Sequence, residues 1–113
     1  HLSAPQATTV MVCLAVLKLT PGTEWAAAYF ARLTDLLPGL RAHEFGGILA
    51  AAAYLGVQPG AECSAQLVAW AGALPLTELA ALVRKLDGSR VAADSAWLGE
   101  LRRDVKRAFA QRA

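Results

Sequence analysis

Residues 17–25 read LKLTPGTEW and residues 55–63 read LGVQPGAEC, two stretches in which Leu, Pro, Gly and Glu keep their places at a spacing of 38. Leu17 answers to Leu55, Pro21 to Pro59, Gly22 to Gly60 and Glu24 to Glu62, while Trp25 gives way to Cys63. A fainter third copy lies at residues 86–97, where Trp97 follows Cys63 by 34 residues. A fixed period of this size marks a chain built from stacked supersecondary units, none of which buries its apolar face alone.

Working outward, apolar residues recur at helical spacing. Pro5 suits a first turn, followed by Val10, Met11, Leu14 and Leu17 on one face. Thr20 reads as the N-cap of a second helix, with Pro21 at its first position and Glu24 near the positive dipole end. That helix carries Trp25, Tyr29, Phe30, Leu33 and Leu36 or Leu37, and stops near Pro38-Gly39. A third helix is predicted from about Ala42 to Leu55, with Phe45, Ile48, Leu49, Ala52 and Leu55 facing inward and Gly56 just past its end. A fourth holds Cys63, Leu67 and Trp70. Pro75 opens a fifth, with Leu79, Leu82, Val83 and Leu86, which Asp87-Gly88 ends. A sixth runs from roughly Ala93 to Ala110 with Trp97, Leu101, Val105 and Phe109 in line.

These helices share a register. Val10 and Met11 map to Ile48 and Leu49 at 38, and Phe45, Ile48 and Leu49 map to Leu79, Leu82 and Val83 at 34. The four missing residues fall between Trp70 and Leu76, about one helical turn, so the fourth helix shortens without rotating its apolar face. The expected fold is all-α: a right-handed α-solenoid of antiparallel helix pairs, about six helices in all. Its divisions are a partial unit over 1–19, a unit over 20–57, a shortened unit over 58–91 and a terminal helix over 92–113. A start on His1 rather than Met reads as a processed product or a fragment, cut from a longer array or assembly.

Composition agrees. The 113 residues are 56% hydrophobic but only 7% aromatic, so alanine supplies much of the apolar set and lets helices approach closely. A net charge of +2 selects no partner class, yet its distribution is uneven. Residues 1–79 hold three basic and five acidic groups, a balance of −2, and residues 80–113 hold eight and four, a balance of +4. Cys13 and Cys63 read as buried, reduced thiols in helices, and neither has the company of a metal site. The uncharged runs 2–17 and 63–77 are too short and too interrupted for a membrane span. No cofactor, metal or membrane insertion is expected.

A helix pair of about 38 residues with Leu-Gly-x-x-Pro-x-x-x-Trp at one junction resembles the octotricopeptide repeat family. The residues that carry this are Leu55, Gly56 and Pro59, with Leu17, Pro21 and Trp25 in the preceding unit and Trp97 in the last. Departures are Gly22 and Gly60 where the family often has a second proline, Cys63 for Trp, and Ala93 for Pro. Octotricopeptide proteins are known chiefly from green algae, as imported chloroplast and mitochondrial factors acting on organellar RNA. The resemblance therefore implies single-stranded mRNA or rRNA as partner and a mitochondrial or chloroplast location. Its purpose would be RNA maturation, stability or translation. An architectural protein- or rRNA-binding subunit of an organellar ribosome, or of another large complex, is the alternative.

Candidate RNA-contacting residues are basic. Arg84 and Lys85 lie near the end of the fifth helix, Arg90 follows it, and Arg102, Arg103, Lys106 and Arg107 form one ridge on the sixth. The same ridge can equally be a solvated face paired with Glu100 and Asp104. Pro21, Trp25, Gly56, Pro59, Cys63 and Trp97 read as structural repeat positions. The three tryptophans are expected in the core, and Gly46-Gly47 marks a close helix approach. No nucleophile–base pair, paired catalytic carboxylates or nucleotide loop emerges, so a non-enzymatic protein is expected.

Overall fold

A computed structural model describes residues 3–88 and 95–112 of the chain. Among these, the fold is all-helical, with no strand. Its α-helices are α1 (Ala4–Leu17), α2 (Thr23–Leu36), α3 (Ala42–Leu55), α4 (Ala61–Gly72), α5 (Leu76–Asp87) and α6 (Ala96–Arg112). A 3-10 turn, Leu37–Gly39, follows α2.

The helix starts reproduce the sequence offsets. Ala4 and Ala42 open α1 and α3 at a spacing of 38, as Thr23 and Ala61 open α2 and α4, and α3 and α5 open 34 apart at Ala42 and Leu76. The four-residue loss divides equally. Helix α4 has 12 residues where α2 has 14, and its link to α5 lacks the 3-10 turn that joins α2 to α3.

Capping repeats as well. Lys18 (φ 57°) and Gly56 (φ 75°), again 38 apart, both end their helices in the left-handed conformation. The next residues, Leu19 and Val57, each donate a 2.9 Å bond back five residues, to the carbonyls of Leu14 and Ala52. At the other end, Gln6 and Glu44 each reach back to accept from the N–H of the N-cap residue, Ser3 at 3.0 Å and Arg41 at 3.1 Å.

One expected start is corrected. Thr20 is not the cap of α2, and Pro21 is not its first residue: Gly22 is the N-cap (φ −69°, ψ 162°) and Thr23 begins the helix. Gly60 does the same for α4 with φ −69° and ψ 167°. Pro-Gly is thus the approach to the helix. Pro59 is buried and Pro21 half-buried, while Glu24 and Glu62 remain in the first turn as read. Pro75 likewise is the N-cap of α5, with Leu76 its first residue.

The helices pack in two rows. Helix α3 lies between α1 and α5 in one row, and α4 lies between α2 and α6 in the other, with α1 against α2 and α5 against α6 joining them. Phe30, Leu33, Phe45, Ile48, Leu49, Leu67, Leu79, Leu82, Leu86, Leu98 and Val105 are all fully or almost fully buried between the rows. The Tyr29 hydroxyl donates a 2.8 Å bond to the Ala7 carbonyl of α1, and burial pushes its pKa up. Three expectations about burial fail. Trp25 is 38% exposed, stacked on Tyr29 at 5.1 Å between centroids, and Leu17 is 64% exposed. Cys13 is also exposed. Cys13 and Leu17 lie on α1 and Trp25 in the first turn of α2, on a side that no described helix covers. The start expected near Ala93 for the last helix lies outside the described residues.

Candidate nucleic-acid interface

Two basic residues of α6, Arg102 and Lys106, come together at the end of α5. Asp87, the last residue of α5, draws them together: its Oδ1 is 3.3 Å from Lys106 Nζ and 3.7 Å from an Arg102 guanidinium nitrogen. These groups are a third to a half exposed, so solvent screens the pairs and they orient the side chains more than they stabilise the fold. Arg107 pairs with Asp104 one turn back on α6 at 3.7 Å. Arg103 is exposed, with no ion pair among the described residues, and Arg84 is exposed near the end of α5. Arg90 lies outside the described residues.

Lys85 is partly committed to the fold. Its aliphatic stem lies over Gly46 of α3, where an added Cβ would stand 2.8 Å from Lys85 Cδ, and its Nζ donates to the His43 carbonyl at 3.3 Å. The close approach expected at Gly46-Gly47 is thus real for Gly46 alone, since Gly47 has open space beside it. Arg112 has a different task. Its guanidinium donates to the carbonyls of Gly72, at 2.9 Å, and Leu74, capping the end of α4.

Register gives the ridge a second meaning. Arg102, Arg103 and Lys106 stand 34 residues after Val68, Ala69 and Gly72, which stand 38 after Phe30, Ala31 and Thr34. In α2 these three positions line the groove shared with α4. In α4, Val68 lines the groove shared with α6, and Gly72 leaves just enough room for Ala108. Small and apolar residues therefore occupy the stacking positions of α2 and α4, and cations occupy them on α6. The ridge is the outer face of the last helix in its row.

The two grooves are equivalents of each other. Between α2 and α4, the walls include Thr23, Ala26, Ala27, Phe30, Cys63 and Gln66, around about 420 Å³. Shifted by 38 or 34, these become Ala61, Ser64, Ala65, Val68, Trp97 and Glu100, all of which line the groove of about 680 Å³ between α4 and α6. Cys63 and Trp97 hold the same place in successive grooves, and Trp25 holds it on the uncovered side of α2. Gln58 lines both grooves, beside Glu62 in the first and Glu100 and Asp104 in the second. The Cys63 thiol sits 3.7 Å from the Phe30 carbonyl, and burial raises its pKa.

Sequence reasoning found the ridge but missed the grooves, Asp87 and Arg112. The signal for the grooves was present: the register that aligns α2, α4 and α6 also places Phe30 beside Cys63 and Val68 beside Trp97. Asp87 is legible as the end of α5, but nothing in the sequence marks it or Arg112 as a tie between helices, because their partners lie elsewhere in the fold. Among the described residues, no three His, Cys, Asp or Glu side chains gather as a metal site. No described helix is long and apolar enough to cross a membrane. No family model, curated protein or solved structure matches the chain.

Proposed function

We propose that the chain is a segment of right-handed α-solenoid, of the octotricopeptide type, that binds single-stranded organellar RNA. The observation that carries this reading is the pair of register-equivalent grooves in the α2–α4–α6 row, ending on a helix whose outer face is basic. A groove recurring once per helix pair suits a polymer of regularly spaced bases. The Gln58 and Gln66 amides can bond base edges, with Phe30 and Trp97 as apolar and aromatic walls. The acidic residues in the walls disfavour phosphate there, so the backbone would follow Arg84, Lys85, Arg102, Arg103, Lys106 and Arg107 instead. The two-row packing and the repeated helix starts and caps support the solenoid. Mitochondrial or chloroplast residence rests on the family resemblance alone.

Binding of short single-stranded RNA at about 50 and about 200 mM salt tests the reading. Affinity should fall as salt rises, and Arg102→Glu with Arg103→Glu should abolish it. Gln66→Ala should alter base preference and leave the salt slope unchanged. Absence of binding, or indifference to the charge reversals, refutes it. The uncharged exposed face of α1 favours a second reading, an architectural subunit of an organellar ribosome or another large complex. Partners that survive nuclease treatment in a pull-down would support that reading.

A further inference from the structure

The two grooves of the α2–α4–α6 row hold the same place in successive units, yet their polar groups differ in kind. Gln66 stands 34 residues before Glu100, and each lines its own groove. The first groove therefore offers an amide where the second offers a carboxylate. The aromatic wall is Phe30 in the first and Trp97 in the second. Asp104, one turn further along α6, also lines the second groove, but its Oδ1 lies 3.7 Å from an Arg107 guanidinium nitrogen. Glu100 is exposed, with no ion pair among the described residues.

This difference separates the bases. An amide both donates and accepts, so Gln66 can match an edge with one donor beside one acceptor, as adenine, cytosine and uracil present. A carboxylate only accepts. Guanine alone among the four common bases presents two adjacent donors, N1–H and N2–H, on its pairing edge. One carboxylate receives both side by side, as it receives the paired N–H groups of an arginine. The other three bases would turn a lone pair toward Glu100. Size points the same way, since about 680 Å³ against about 420 Å³ suits a purine. The Trp97 indole supplies a face for stacking in the same groove.

We propose that the groove between α4 and α6 selects guanine, with Glu100 accepting from N1–H and N2–H and Trp97 against the ring face. The assignment rests on the RNA reading above and names the base that the second groove takes. Gln66, in the first groove, tolerates the remaining three. Glu100 is thus the specificity-determining residue.

Fluorescence anisotropy tests it with a short uridine oligomer, and with the same oligomer carrying one central guanosine, adenosine, cytidine or inosine. The guanosine oligomer should bind about tenfold more tightly than the all-uridine one. Adenosine and cytidine should bring no such gain. Inosine, which keeps N1–H and lacks the N2 amino group, should lose most of it. Glu100→Gln should bring the ratio of guanosine to uridine binding close to unity. Asp104→Asn removes the same charge and should keep the ratio. Glu100 is exposed, so circular dichroism should show the variant folded. Guanosine monophosphate should compete only weakly, since one phosphate replaces the several of a strand. Equal salt-dependent binding of all the oligomers overturns the guanine assignment and leaves the RNA reading standing. So does an inosine oligomer as tight as the guanosine one, or a preference that survives Glu100→Gln. Competition by the monophosphate at the oligomer's own affinity overturns it in favour of a free nucleotide. Failure of every oligomer to bind removes the assignment and the RNA reading together.

Discussion

Lys18 adopts φ 57°, a conformation that glycine supplies without strain at the equivalent position, Gly56. A side chain in the left-handed region costs about 1 kcal/mol, partly offset by the extra freedom glycine has when unfolded. Lys18→Gly should therefore raise stability by about 0.5–1 kcal/mol in urea unfolding. Tyr29 is the other residue whose local chemistry has a measurable sign. Its hydroxyl donates to the Ala7 carbonyl and is buried, with a pKa raised above the ordinary value of about 10. The neutral form is the one the fold favours. Its contribution is thus complete below about pH 10 and is lost as pH rises through the folded-state value, the unfolded chain releasing its proton first. Tyr29→Phe should cost about 1 kcal/mol at neutral pH, and its stability should fall less steeply than wild type between about pH 10 and 12. Equal slopes would show that the phenol does not titrate on unfolding.

At the scale of the helix, local signals explain what could be read from the chain. Ala42 to Leu55 emerged with the correct ends because Phe45, Ile48, Leu49 and Ala52 set the phase and Gly56 the stop. The start of α2 was misread because a proline before a helix is ordinarily its first residue, and here a glycine stands between them. Trp25, Leu17 and Cys13 were expected inside since their type and spacing suit a covered face. Periodicity says which side of a helix is apolar but cannot say whether a neighbour is there. The two glycines of α3 separate these influences. Gly47→Ala gains helix propensity with nothing in its way and should stabilise by up to about 1 kcal/mol. Gly46→Ala should gain less, since the Lys85 stem must swing aside and its bond to His43 is strained or lost. Thermal unfolding of the pair measures the difference, and identical gains would mean that Lys85 does not lie on α3 in solution.

For the whole molecule, two rows of helices and an uneven charge were legible, while the grooves and the ties between helices were not. Grooves belong to the spaces between elements, and only the register of α2, α4 and α6 could have pointed to them. Asp87 illustrates the point, a carboxylate whose meaning depends on Arg102 and Lys106 reaching it from the next helix. It also competes with any phosphate for those cations. Asp87→Asn should tighten single-stranded RNA binding several-fold at about 50 mM salt and steepen the salt dependence, with stability changed by less than about 1 kcal/mol. Unchanged affinity in a folded variant would place the RNA backbone elsewhere. The pattern of neighbours has a mechanical corollary. The main helix contacts run to the next helix or the next but one, so load applied between the two termini falls on one seam at a time. Stretched in an optical trap, the chain should lengthen by peeling successive helices from its ends, in several small force steps, instead of rupturing in a single event.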